Sequence, residues 1–151
     1  MTEILSQGDL RRLRNAMANV HSDSFFRHFM RLFRAKLRLH TFILMRFDDL
    51  SPPQLLGSWI LRDALPQGVL EQYEEAAYQL DPFYQFRDLP KGGGLYRLSD
   101  IAPDRFFSSE YFLQYYRQTR LCDEIGLLAP LPSGSIAHLS FSRLQEAGPF
   151  K

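Results

Sequence analysis

Tyr73 and Asp81 stand eight residues apart in this 151-residue chain, and Pro82 restrains the backbone directly after the aspartate. A carboxylate held in this way can accept a hydrogen bond from an amide or hydroxyl of a small molecule, while a nearby phenol offers both a donor and an apolar ring. The same residues have a plainer reading, in which Asp81 caps the turn that follows and the tyrosines pack in the core. The chain carries 13 Phe, 7 Tyr and 1 Trp, more rings than a small core needs for volume, so that some can line a pocket. Enzyme chemistry is poorly served. Gly92 to Gly94 are not followed by the Lys-Ser/Thr pair of a phosphate loop. Cys122 as nucleophile with His21, His28, His40 or His138 as base forms no recognised local arrangement. Those histidines lack metal-ligand spacing, and Asp48-Asp49 and Asp123-Glu124 read as turn and surface carboxylates. No catalytic residue, metal or cofactor is assigned.

The elements that must position Tyr73 and Asp81 follow from periodicity. Ser6 and Asp9 have capping-box spacing ahead of a helix over about 7–20, with Leu10, Leu13, Met17 and Val20 on one face. Ser22 or Asp23 can open a second helix to about Arg38, whose apolar side is Phe26, Met30, Phe33 and Leu37. Arg27, Arg31, Arg34 and Arg38 form a stripe beside that side, suited to a solvated face or to the rim of an interface. The period then changes to two. Thr41, Ile43, Met45 and Phe47 alternate with Phe42, Leu44 and Arg46 in a strand, and 54–61 returns after a loop, with Gly57 admitting a bulge and Trp59 on one face. Pro66 opens a helix bearing Val69, Leu70, Tyr73, Ala76, Ala77 and Leu80, which ends before Asp81-Pro82. A flexible Lys91–Gly94 loop, a short strand over 95–98 and a helix from near Ser108 to Thr119 come next. Strands over 122–131 and 135–144, joined by Pro132-Ser133-Gly134, complete the order. Two hairpins without repeated strand-helix-strand units predict an α+β fold, an antiparallel sheet sandwiched by helices.

A hydrophobic fraction of 45% and a charged fraction of 23% exclude intrinsic disorder. The net charge of +1 argues against strong global attraction to nucleic acid, although residues 10–46 hold nine basic side chains against Asp23 alone. No apolar run approaches the roughly 20 residues of a spanning helix, and the charged N-terminus is unlike a signal peptide, so a cytoplasmic location is expected. One cysteine, Cys122, allows no internal disulfide.

Over residues 20–150 the chain resembles the N-terminal sensor domains of LuxR-type transcription regulators, related in architecture to autoinducer-binding and GAF/PAS-like domains. The resemblance rests on Tyr73 to Pro82, Gly94-Leu-Tyr-Arg-Leu-Ser-Asp100, Phe106-Phe-Ser-Ser-Glu-Tyr111, Tyr115-Tyr116, Asp123-Glu124, Gly126 and Pro130. It implies a single sensory domain whose signal reaches a C-terminal helix-turn-helix domain lying outside 1–151, after a connecting segment at Glu146–Lys151. It also implies a small-molecule ligand, a homodimer, and DNA contact only through that further domain. In autoinducer-binding members a tyrosine and an aspartate before proline engage the ligand's acyl-chain carbonyl and amide, roles that carry over to Tyr73 and Asp81 at a spacing one residue shorter. Val69 stands where those members place a tryptophan for the lactone carbonyl, so the ligand implied is not an ordinary acyl-homoserine lactone. The expected pocket has Asp81 and Tyr73 at its polar end and Trp59, Phe42, Leu44 and Tyr78 as apolar walls. The alternative is a protein-interaction or dimerisation module with a filled core and no ligand.

Overall fold

The period-two stretch after His40 forms the first strand of a five-stranded antiparallel sheet. The computed structural model describes residues 6–87 and 93–151, with the backbone alone at Ala35. These residues divide into two compact units between Leu39 and His40.

The first unit is a helix pair, α1 (Gln7–Ala18) and α2 (Phe25–Leu37). The capping box forms as the spacing predicts: the Ser6 hydroxyl accepts from the Asp9 N–H at 3.2 Å, and the Asp9 carboxylate accepts from the Ser6 N–H at 2.9 Å. Asp9 also meets Lys36 at 2.7 Å, which ties the start of α1 to the end of α2 and helps to hold its carboxyl well below the usual range. Ser24, rather than Ser22 or Asp23, precedes α2, and its hydroxyl donates to Asn19 Oδ1 instead of capping the helix. Arg27, Arg31 and Arg34 are exposed along α2, while Arg38 ends it in the left-handed conformation.

In the second unit, β1 (Thr41–Phe47), β2 (Gln54–Ile60), β3 (Gly94–Arg97), β4 (Leu121–Pro130) and β5 (Ile136–Leu144) are ordered β2-β1-β5-β4-β3. The predicted bulge of β2 falls at Leu56, since Leu44 faces Gly57 while Met45 faces Leu55. A second bulge lies in β4 between Leu121 and Asp123. Beyond it Asp123 is buried and takes Arg97 Nε at 3.1 Å and the Phe150 N–H at 2.8 Å, so that β3, β4 and the C-terminal segment are joined through one carboxylate. The surface role expected of Asp123 is thereby corrected.

The helices of this unit are shorter than periodicity predicts. α3 (Val69–Glu75) stops at Ala76, where the backbone turns to φ −153°, and a 3-10 turn follows over Ala77–Leu80. Asp81 then caps α4 (Pro82–Phe86) by accepting the Phe83 N–H. α5 (Leu98–Ile101) follows β3 directly. The helix expected to reach Thr119 is split into α6 (Glu110–Gln114), capped by Ser109, and a 3-10 turn at Tyr116–Thr119. Both breaks serve the cavity described next. Of the predicted Lys91–Gly94 loop, Lys91 and Gly92 lie outside the described residues, Gly93 takes φ +80°, and Gly94 already belongs to β3. Among the described residues no helix is long and apolar enough to cross a membrane.

Candidate functional site

Between one face of the sheet and the α3–α6 region lies a cavity of about 50 Å³. Tyr73 and Asp81 both line it. In an unbroken helix, residues eight apart lie about 12 Å apart along the axis. The turn at Ala76 instead folds the chain back, and the Tyr73 hydroxyl donates to Asp81 Oδ2 at 2.5 Å. The second carboxylate oxygen, Oδ1, accepts the Phe83 N–H at 2.8 Å. Asp81 is therefore both a cavity residue and a helix cap, and it is only 4% exposed.

The break between α6 and its 3-10 turn has a parallel effect. Tyr111 and Tyr115 share a helix face at a spacing of four, and the irregular backbone at Tyr115 brings the next residue, Tyr116, into the same lining. From the sheet, β5 contributes His138, Ser140 and Ser142, which alternate along one face, while β1 contributes Ile43 and Met45. The β4 bulge lets Leu121 and Glu124 line the cavity together despite a spacing of three. Glu124, read from the sequence as a surface carboxylate, points inward and accepts the Ser140 hydroxyl at 2.6 Å.

Burial sets the electrostatics. It raises the Asp81 carboxyl to about 6 against the opposing pull of its bonds from Tyr73 and Phe83. Burial, together with the charges of Asp81 and Asp123, raises Glu124 to about 8. It also lowers the His138 imidazole to about 3, leaving it neutral near pH 7. The His138 ring stacks on Phe83 at 4.7 Å, while Nε2, like the Tyr116 hydroxyl, is buried without a hydrogen-bond partner. Among the described residues no group of three or more His, Cys, Asp or Glu side chains is placed to hold a metal ion. Cys122 is exposed, and its Sγ meets the Leu144 carbonyl oxygen at 3.4 Å.

The expected apolar walls are corrected. Phe42 pairs across the sheet with both Trp59 and Phe141, and cross-strand partners share a face. Ile43 and Met45 are the β1 residues that line the cavity, so strand alternation puts Phe42, Leu44 and Trp59 on the opposite face. Tyr78 is buried against Tyr73 and Tyr84 rather than in the lining. His138, Ser140 and Ser142 were legible as polar residues alternating in an apolar strand, whereas the inward turn of Glu124 depends on a bulge that no residue type announces.

This fold is shared with several solved structures. The chain is similar to the VqsR ligand-binding domain of Pseudomonas aeruginosa, with 23% identity, a TM-score of 0.78, and coverage of 95% of this chain and 84% of that one. It is also similar to the N-acylhomoserine lactone dependent LuxR-family factor CepR2 of Burkholderia cenocepacia, at 15% identity and a TM-score of 0.61, covering 97% of this chain and 83% of that one. A third likeness is to SdiA, known from Escherichia coli, in complex with octanoyl-rac-glycerol, at 16% identity and a TM-score of 0.58, covering 95% of this chain and 56% of that one. At these identities the likeness establishes the fold. No protein-family profile and no curated protein sequence matches the chain.

Proposed function

We propose that this chain is a small-molecule-sensing regulatory domain of the LuxR type, which controls DNA binding by a domain outside residues 1–151 and pairs with a second copy of itself. The observation that carries this reading is the buried Tyr73–Asp81 pair in the wall of a cavity that also holds two polar atoms without partners. Groups of that kind are costly in a finished core and ordinary in a binding site, where the occupant supplies the missing bonds. The likeness to regulator ligand-binding domains points the same way. Ligand then acts by population shift, favouring the arrangement of α3, α6 and their 3-10 turns that it binds better.

The dimerisation module without a ligand is the second reading, and the small volume of the cavity favours it, since drug-sized ligands occupy about 300–1,000 Å³. A thermal-shift screen of small metabolites, with octanoyl-rac-glycerol included, separates the two. A ligand that binds only the native state raises the melting temperature, and titration of that hit against Asp81→Asn is expected to show a loss of about 1.5–3 kcal/mol. Equal affinity in the variant removes Asp81 from the site. A screen without a single stabilising compound leaves the interaction module. Asp81→Ala is the poorer probe, because it also removes the α4 cap and the partner of Tyr73.

A further inference from the structure

The cavity carries two acids and no lysine or arginine among its lining residues. Three of its hydroxyls already donate a hydrogen bond: Tyr73 to Asp81, Ser140 to Glu124, and Thr119 to the Tyr116 carbonyl. What remains is rich in acceptors. A carboxylate has about four lone-pair sites, of which one donor per oxygen uses only part, and the unpartnered Nε2 of a neutral imidazole and the Tyr116 hydroxyl can each accept as well. Ile43, Met45, Leu65 and Leu70 supply an apolar remainder in the same lining. Tyr116 can donate as well as accept, but the lining sets its two acids against no side-chain cation, and an ammonium group brings both the missing positive charge and three donors.

We propose that the cavity selects a short alkylammonium cation, its nitrogen held between Asp81 and Glu124 and its hydrocarbon against Met45 and Leu70. This rests on the reading of the cavity as a ligand site and names the class of ligand that the site takes. Glu124 is the specificity-determining residue: Asp81 is tied up by Tyr73 and Phe83, and Glu124 supplies the second charge.

The test is a protein-observed NMR titration of the 151-residue chain with n-butylammonium and with 1-butanol, which have the same number of heavy atoms, and with octanoyl-rac-glycerol as a larger neutral probe. Butylammonium is expected to bind at least tenfold more tightly than butanol, and Glu124→Gln to bring that ratio near one. A wild-type pH series gives the same answer if the variant does not fold. Butylammonium affinity rises between pH 5.5 and 8.5 as the two acids ionise, while butanol affinity does not. Facing them, the phenols of Tyr73, Tyr111, Tyr115 and Tyr116 are held protonated and His138 neutral across this range, and Asp123, beside Glu124 on β4, faces Arg97. Butanol binding as well as butylammonium, or a preference untouched by both Glu124→Gln and pH, overturns the cation and leaves the ligand site standing. Perturbation by octanoyl-rac-glycerol alone has the same meaning. If no probe perturbs the cavity residues, the cation and the ligand site fall together.

Discussion

Burial moves Asp81, Glu124 and His138 away from their ordinary titration ranges in directions that oppose one another as regards stability. An acid whose folded value is raised binds more protons folded than unfolded, so its contribution is present at low pH and lost as pH climbs through the folded value. His138 is lowered, so its contribution is lost as pH falls from about 6.5 toward 3. Above pH 6.5 the unfolded histidine loses most of its remaining charge, and the acids dominate. The unfolding free energy is therefore expected to drop by about 1–2 kcal/mol between pH 6.5 and 8.5, chiefly through Glu124. Urea denaturation at the two pH values measures it. Glu124→Gln, which mimics the protonated acid, should flatten the slope, and an unchanged slope would show that Glu124 enters the folded state already ionised.

At the scale of elements, β4 depends on Gly126, which pairs with Ser140 of β5 and Tyr96 of β3. A Cβ there would press into the Phe83 ring and stand 2.8 Å from His138 Nε2, in a place where the ring and the imidazole are already stacked. Gly126→Ala is expected to cost about 1–3 kcal/mol by overpacking, read as a lower denaturation midpoint with an unchanged slope. A neutral substitution would mean that α4 slides freely over the sheet. The strands were legible in the sequence because a period of two survives in β1 and β5 whatever packs on them. The helix breaks were not. Val69, Leu70, Tyr73, Ala76, Ala77 and Leu80 keep a helical period through Ala76, and the turn there is favoured by a hydrogen bond between Tyr73 and Asp81 that exists only after folding. The polar end of the cavity was likewise readable from Tyr73 and Asp81, but its walls were not, because choosing between Phe42 and Ile43 requires knowing which face of β1 meets the helices.

For the whole molecule, the exposed Arg27 and Arg31 bear on self-association through the first two helices. Sedimentation equilibrium is expected to show a dimer that weakens when both arginines are reversed to glutamate, since charges at an interface rim act mainly on association and its salt dependence. A species that stays monomeric at high concentration argues against pairing through this face. Within the second unit, the Asp123 carboxylate joins β3, β4 and the C-terminal segment while its neighbour Glu124 faces the cavity, so the strand that lines the cavity also holds the C-terminal segment.

The position of Trp59 has an optical consequence. It is the only indole in the chain, and it lies on the sheet face turned away from the cavity. Four of the seven tyrosines, by contrast, line the cavity. Indole emission excited at long wavelength will report on the far side of the sheet and stay nearly silent when the cavity fills. Near-ultraviolet dichroism of the phenol bands is the intrinsic signal that faces the occupant, and a flat tryptophan trace is no sign of an empty site.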